Sequence, residues 1–299
     1  MLKEVLWYID KQISSLGSRK MNVFDGTLGH GGHLLAIMRQ YGWSIWSYVA
    51  TDTDQRMLDV AQQRLSVLSQ DEWVDCSGVS LIHDVYTRLW EIATQKSINY
   101  DLVFLDLWVN LWHFKQHERG FSIKWEGELD MRYDTDNGSL MTAKEILATY
   151  SYEQLVEMFT LNSEISLPTS SSIAQEIVRI RDARPWITTT QLNNLTKKLN
   201  YSARVAAIVF QALRIEVNKE FDSLTRAIVT TSMCVNPWAV LIILTYHSIE
   251  DRIVKNAFKE LEENNKWVII TKHALSPSYK EVQSNKPSRS ARLRAFRFT

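Results

Sequence analysis

A short apolar run at residues 21–24 ends in Asp25-Gly26, and T-L-G-H-G-G-H follows before a helical pattern opens with Leu34, Leu35, Ile37 and Met38. Apolar run, glycines and amphipathic segment read as strand, tight loop and helix. Glycines at a helix start let a ligand approach the backbone and leave free N–H groups pointing at it. A second apolar run, residues 48–51, ends in Asp52. A carboxylate at the tip of a second strand meets the two hydroxyl donors of a ribose. Alone, the glycines make an ordinary turn; Asp52 at this spacing favours a nucleoside-containing cofactor.

The cofactor can be narrowed. A dinucleotide fingerprint needs a third glycine where Leu34 stands, and no G-K-[ST] occurs. NAD and ATP are therefore disfavoured. An adenosyl group with a small charged tail, S-adenosylmethionine, fits better.

The rest of the chain repeats strand and helix. A helix is expected over 2–14, strands over 21–24, 48–51, 79–83 and 100–107, and helices over 33–41 and 55–68. The strand at 100–107 is apolar almost throughout, as burial on both faces requires. This alternation predicts an α/β, Rossmann-like, doubly wound parallel sheet. The pattern then stops. Helices are expected over 142–149, 152–161, 173–181 and 189–199, with Ser170, Ser171 and Ser172 marking a loop and Thr188 and Thr189 resembling an N-cap. Residues 111–201 read as an inserted all-helical substrate-recognition subdomain, interrupting a sheet domain of residues 1–110 and 202–299. One long helix is expected over 203–230, then a turn at Asn236-Pro237, a strand over 238–245 and a helix over 249–264. Two late strands, 266–272 and 293–298, close the sheet as an antiparallel edge.

Composition excludes several classes. Apolar residues make up 45% and charged residues 23%, and the longest apolar run, 238–244, is far too short to span a bilayer. No cleavable signal pattern opens the chain, and Cys76 and Cys234 suggest neither a disulfide framework nor a metal set. The reading is a cytoplasmic protein with no metal. Net charge is zero, but residues 280–299 hold six Lys/Arg against one acid. Such a local excess is a footprint for nucleic acid, or simply a solvated tail.

Several separated motifs agree with one family. D-G-T-L-G-H-G-G-H at 25–33, E-R-G-F-S at 118–122, L-D-M-R-Y-D at 129–134, F-Q-A-L-R-I-E-V-N at 210–218, Y-H-S-I-E-D-R-I-V-K at 246–255 and R-S-A-R-L-R at 289–294 together resemble the bacterial 16S rRNA cytosine-N4 methyltransferases, the RsmH (formerly MraW) family. The resemblance spans nearly the whole chain. It implies methyl transfer from S-adenosylmethionine to a cytosine amine in the decoding centre of small-subunit rRNA. It also implies that Gly31, Gly32 and His33 hold the methionine part, Asp52 the ribose and Tyr86 the adenine face, with Asp106 and His113 lining the same pocket. Tyr86 equally reads as a core aromatic.

The exocyclic amine of cytosine is a poor nucleophile, so a hydrogen-bond acceptor must draw on its N–H₂ group and nitrogen must lie in line with the methyl. Asp106 and Asn110, at the end of the fourth strand, are the catalytic candidates. Asp130, Arg132, Arg214, His247, Arg289, Arg292 and Arg294 are the substrate-side candidates, with Arg119 as a further phosphate contact. Asp130 and Arg132 read as ordering a loop, and His247 equally reads as a structural histidine. The partners implied are small-subunit rRNA or the assembling subunit, with no membrane and a homodimer left open. Departures fall after the fourth strand, where Trp108 replaces the family's glycine, Asn110 and Leu111 its serines and His113 its glutamine, and in the insertion, where S-E-I-S-L-P-T-S at 163–170 takes the place of a Tyr-Gly-Glu-Glu stretch. They leave an alternative, a catalytically impaired RNA-binding assembly factor. The Trp108 ring either turns aside or stacks on the target base, or it fills the base pocket.

Overall fold

The computed structural model describes residues 1–299 except 137, 182, 184, 186, 187, 265 and 266, and the Leu111 side chain. Two compact units divide the chain: Met1–Trp108 with Phe221–Thr299, and Val109–Glu220.

The first unit is built on a seven-stranded sheet in the order β3-β2-β1-β4-β5-β7-β6. In chain order its elements are α1 (Leu2–Leu16), β1 (Met21–Asp25), α2 (Gly32–Tyr41), β2 (Ile45–Asp52), α3 (Gln55–Asp71), β3 (Val79–His83), α4 (Leu89–Lys96) and β4 (Tyr100–Asp106). The helix α4 is an element that periodicity did not reveal. Strands β1 to β4 and β5 (Val235–Thr245) pair in parallel, while β7 (Arg292–Phe298) is antiparallel to both β5 and β6 (Trp267–Ile269). Successive side chains on a strand point to opposite faces. Accordingly Val23, Leu102, Phe104, Ile242 and Leu244 enter one core with α1, α2 and α3, while Phe24, Val103, Leu105, Leu241 and Ile243 enter the other.

Asn236-Pro237 is not a turn. It lies inside β5, where Tyr100 pairs with Val235 and Leu102 already pairs with Val240. The extra residues form a bulge in which Trp238 takes a left-handed φ of 68°, and a bulge tolerates the proline's missing donor. The basic C-terminal segment is not a tail either. It forms α13 (Tyr279–Ser284), a 3₁₀ turn and β7, and β7 lies inside the sheet, with β6 as the edge. The strand expected over 266–272 begins at a residue outside the described set, and among the described residues it is strand only over β6.

The second unit contains α5 (Leu111–Lys115), α6 (Ala143–Thr149), α7 (Tyr152–Leu161), α8 (Leu167–Arg181), α9 (Thr189–Lys198) and α10 (Ala203–Asn218). Ser170–172, expected as a loop, lie within α8, because Ile173, Ala174 and Ile177 are buried and the helix extends N-terminally to seat Ser170 in the same core. Val209, Phe210, Leu213 and Val217 of α10 join this core, so that helix belongs to the inserted unit rather than to the sheet. The long helix expected over 203–230 is broken at Lys219, whose φ is 50°; its N–H caps α10 on the carbonyls of Ile215 and Glu216. A separate α11 (Glu220–Thr231) follows, and α12 (Ser248–Glu263) comes after β5. Among the described residues no helix is long and apolar enough to cross a membrane.

Candidate functional site

Within the sheet unit, three carboxylates stand at the C-terminal ends of neighbouring strands: Asp25 on β1, Asp52 on β2 and Asp106 on β4. Strand order reverses between β1 and β4, which is where open α/β sheets bind ligands. The glycine loop between β1 and α2 is stitched to this edge. Gly26 N–H donates to Phe104 O at 3.0 Å and Leu28 N–H to Thr51 O at 3.0 Å. The Thr27 hydroxyl oxygen accepts from Asp106 N–H at 2.6 Å. Gly31 caps α2 with a φ of 73°, its own N–H donating to Leu28 O at 2.9 Å, and no side chain caps the first-turn N–H groups that follow. A β-carbon at Gly32 would meet open space, so the helix start is an open cradle.

The Asp52 carboxylate accepts from Gly29 N–H at 2.8 Å and from Asp54 N–H at 2.9 Å. Burial nevertheless pushes it up to about 6. Asp25, which sequence reading treated only as the end of a strand, is more strongly affected. It is buried and accepts from Thr27 N–H at 3.1 Å and from the Tyr48 hydroxyl at 3.0 Å. Burial, with smaller contributions from Asp106 and Asp52, raises it to about 7. The available signal was its parity with Met21 and Val23, which directs an acid into a core. Carboxylate charges crowded round Asp25 in this way favour a cation nearby.

His33 Nδ1 lies 3.6 Å from Asp106 Oδ2, too far for a hydrogen bond, and burial lowers its basicity, so the ring faces Asp106 as neutral imidazole. A second overlooked residue is Tyr246, just past β5. Its N–H donates to Glu250 Oε2 at 2.8 Å, and its hydroxyl is coupled electrostatically to the Asp106 carboxylate. Burial first, and then Asp106, raise this hydroxyl far above the ordinary phenol range, so it remains a donor. Trp108 N–H donates to Asp106 Oδ1 at 3.3 Å, and its ring packs on Tyr246. Tyr86 sits beside the loop: a β-carbon on Gly26 would fall 2.6 Å from Tyr86 Cβ.

The remaining candidates have other local partners. Asn110 caps α5, its Oδ1 accepting from Trp112 N–H at 2.9 Å. His113 is buried in the inserted unit beside Phe121 and Tyr133, with Nδ1 3.2 Å from Arg119 Nη1. Arg119 is no surface phosphate contact: it is buried and donates to the carbonyls of Arg132 and Tyr133. Arg132 and Asp130 form a two-pronged pair at 2.8 and 2.9 Å. Arg214 is similarly paired with Glu220 at 2.8 and 3.0 Å, its charge already met. His247 is the N-cap of α12, with Nδ1 accepting from Glu250 N–H at 3.4 Å and Nε2 2.9 Å from Glu250 Oε1. Arg294 is buried in β7 and pairs with Asp251 at 2.7 and 2.8 Å, which removes it from the exposed basic set. Arg289 and Arg292 are exposed, Arg292 donating to the Ser276 hydroxyl.

Comparison with known proteins adds an independent line. The model of the MraW methylase family matches residues 1–299. The ribosomal RNA small subunit methyltransferase H of Dictyoglomus turgidum is 33% identical over 98% of this chain and 94% of its own length. The protein of the same name from Coprothermobacter proteolyticus is 34% identical over 91% of this chain and 88% of its own. That from Brachyspira hyodysenteriae is 33% identical over 98% and 94%.

Proposed function

The chain belongs to the MraW methylase family, and from that premise we propose that it is an S-adenosylmethionine-dependent methyltransferase that modifies the exocyclic N4 of a cytosine in small-subunit ribosomal RNA. The observation that carries this reading is the carboxylate edge, Asp25, Asp52 and Asp106 around the open start of α2. A ligand with a sulfonium between its ribose and an amino-acid end that bears both ammonium and carboxylate offers cations to these acids, a diol to Asp52 and an anion to the start of α2.

When bound, the cofactor supplies an electrophilic methyl group on a sulfonium. The chain's residues do the rest. The N–H groups of Gly32 and His33 open α2 without a side-chain cap and can hold a carboxylate, while Gly31 supplies the left-handed turn that aims them. Asp52 offers two oxygens to a ribose diol, and Tyr86 offers a ring to the adenine. Asp106 accepts from the target amine, drawing its lone pair out of conjugation, while the Trp108 N–H donates to the carboxylate and the Tyr246 hydroxyl stands ready as a second donor. Asn110 is a weaker candidate for that role because its oxygen already caps α5. His113, buried on Phe121 and Tyr133, supports the inserted unit, which we assign to substrate recognition. The assembly-factor alternative gains nothing here: the Trp108 ring has a packing partner in Tyr246, and the acceptor beside it is intact. A cytoplasmic setting follows from an rRNA substrate.

The test is methyl transfer from labelled cofactor to small subunits lacking the modification, with mass spectrometry locating the methyl group. Label on cytosine N4 is expected. Cofactor binding without transfer to any small-subunit RNA would refute the reading.

A further inference from the structure

In the inserted unit, the indole of Trp125 is 54% exposed and stacks on the imidazole of His117, with centroids 4.5 Å apart and planes 18° apart. Exposed aromatics on mobile loops are poor binding surfaces because ordering them costs entropy. This one is already ordered. The Thr189 hydroxyl, itself buried, donates to Trp125 O at 2.7 Å and accepts from Gly127 N–H at 3.1 Å. Thr189 N–H donates to Gly127 O at 2.9 Å, and Asn193 Nδ2 donates to Ile123 O at 3.2 Å. On the other side the backbone runs hard against the turn at His117: a β-carbon on Gly127 would overlap the His117 carbonyl oxygen. Trp125 is thus clamped by α9 and by residue 117 while its ring faces solvent.

We propose that Trp125, backed by His117, is a stacking platform for an unpaired nucleobase of the RNA. The proposal rests on the rRNA methyltransferase reading. A target cytosine must be unstacked to be reached, and its neighbours then lose stacking partners that the enzyme can replace. Single-stranded RNA is gripped by aromatic faces in this way, and every base has a π face to offer. The charge around the platform points to a base rather than a phosphate. Exposed Lys115 and Lys124 are offset by exposed Glu118, Glu126 and Glu128, so the site offers a flat ring and little net field. With one indole face on His117, the opposite face is the one that exposure leaves for a ligand.

The experiment uses the full-length protein with Trp125→Ala and Trp125→Phe, a small-subunit rRNA fragment and the assembled small subunit. RNA affinity, KM and kcat for methyl transfer, cofactor affinity and melting temperature are measured for each. Trp125→Ala is expected to weaken RNA binding and raise the RNA KM roughly 5- to 150-fold, as loss of one stacked base does. Its kcat, cofactor affinity and melting temperature should match wild type, and Trp125→Phe should restore most of the binding. Unchanged RNA affinity in Trp125→Ala overturns the proposal. So does a defect seen with the assembled subunit but not with naked rRNA, which assigns the platform to a protein partner. A defect shared by Trp125→Phe and accompanied by a lower melting temperature makes the stack purely structural. If wild type binds rRNA but transfers no methyl group, the functional reading fails, while the binding comparison still decides the platform.

Discussion

The Trp108 indole lies against the Tyr246 ring, with centroids 4.6 Å apart and planes inclined at 58°. One residue follows β4 and the other follows β5; the Trp108 N–H donates to Asp106, and the Tyr246 hydroxyl is coupled to the same charge. This bulky side chain therefore has a partner at the strand ends. Trp108→Gly is expected to lose about 0.5–1.5 kcal/mol of stability, the contribution of one aromatic pair. Its methylation rate should stay within about tenfold of wild type, corresponding to no more than ~1.4 kcal/mol in the barrier. Thermal unfolding and single-turnover transfer check both, and a rise of several orders of magnitude would identify the indole as a block.

Tyr246→Phe keeps the ring against Trp108 and removes only the hydroxyl, which can donate to Asp106 in the loaded site. A hydrogen bond to a charged group contributes about 1.5–3 kcal/mol. The turnover number should fall by roughly 10- to 150-fold with cofactor affinity unchanged. Equal kcat in the two proteins would show that Asp106 needs no such support.

Asp52 is raised to about 6 by burial, and it accepts ribose hydroxyls best when ionised. Cofactor dissociation constants should be flat above pH 7 and rise towards tenfold per unit as pH falls below about 6. Asp52→Asn should bind more weakly at pH 8 and lose most of this slope. Calorimetry across pH 5 to 8 reads both, and a wild-type curve flat to pH 5 would dissociate Asp52 from the ligand.

Asp25 is raised from 3.8 to about 7, chiefly by burial. The folded protein then binds more protons than the unfolded chain between those values, so this group makes stability fall as pH rises from about 4 to 7. The penalty is complete above pH 7, on the order of 4 kcal/mol, and absent below about 4. Asp25→Asn keeps an acceptor for Thr27 N–H and removes the charge. It should therefore be more stable than wild type at pH 8, by a margin that shrinks as pH falls to 5. Denaturant unfolding at the two pH values measures it; a margin that widened on acidification would reverse the assignment.

The basic C-terminal motif divides in two. Arg289→Ala with Arg292→Ala should weaken RNA binding and flatten its dependence on salt by about 0.7–0.9 for each phosphate left without its arginine. Arg294→Ala instead strands Asp251 and should cost about 2–3 kcal/mol of stability, the low end for a buried pair because Asp251 is partly exposed. Filter binding at graded salt and thermal melts separate the two effects.

What the chain determined by itself was whatever depends on neighbours in sequence. The parity of β1 and β4, the glycines before α2, the acids ending β2 and β4 and the Thr188 cap are one-dimensional patterns, because strand and helix periods repeat along the chain. Tertiary structure decided what depends on partners far apart. Ser170–172 turned helical because Ile173 and Ile177 had a core to enter, and Asn236-Pro237 became a bulge because β4 holds the flanking residues in register. Arg294 became structural because Asp251 lies across from it, and Asp106 acquired Tyr246 because β5 runs beside β4. Local spacing carries an ordered series of φ, ψ and side-chain directions, but a buried charge or hydroxyl takes its role from the group that folding sets against it.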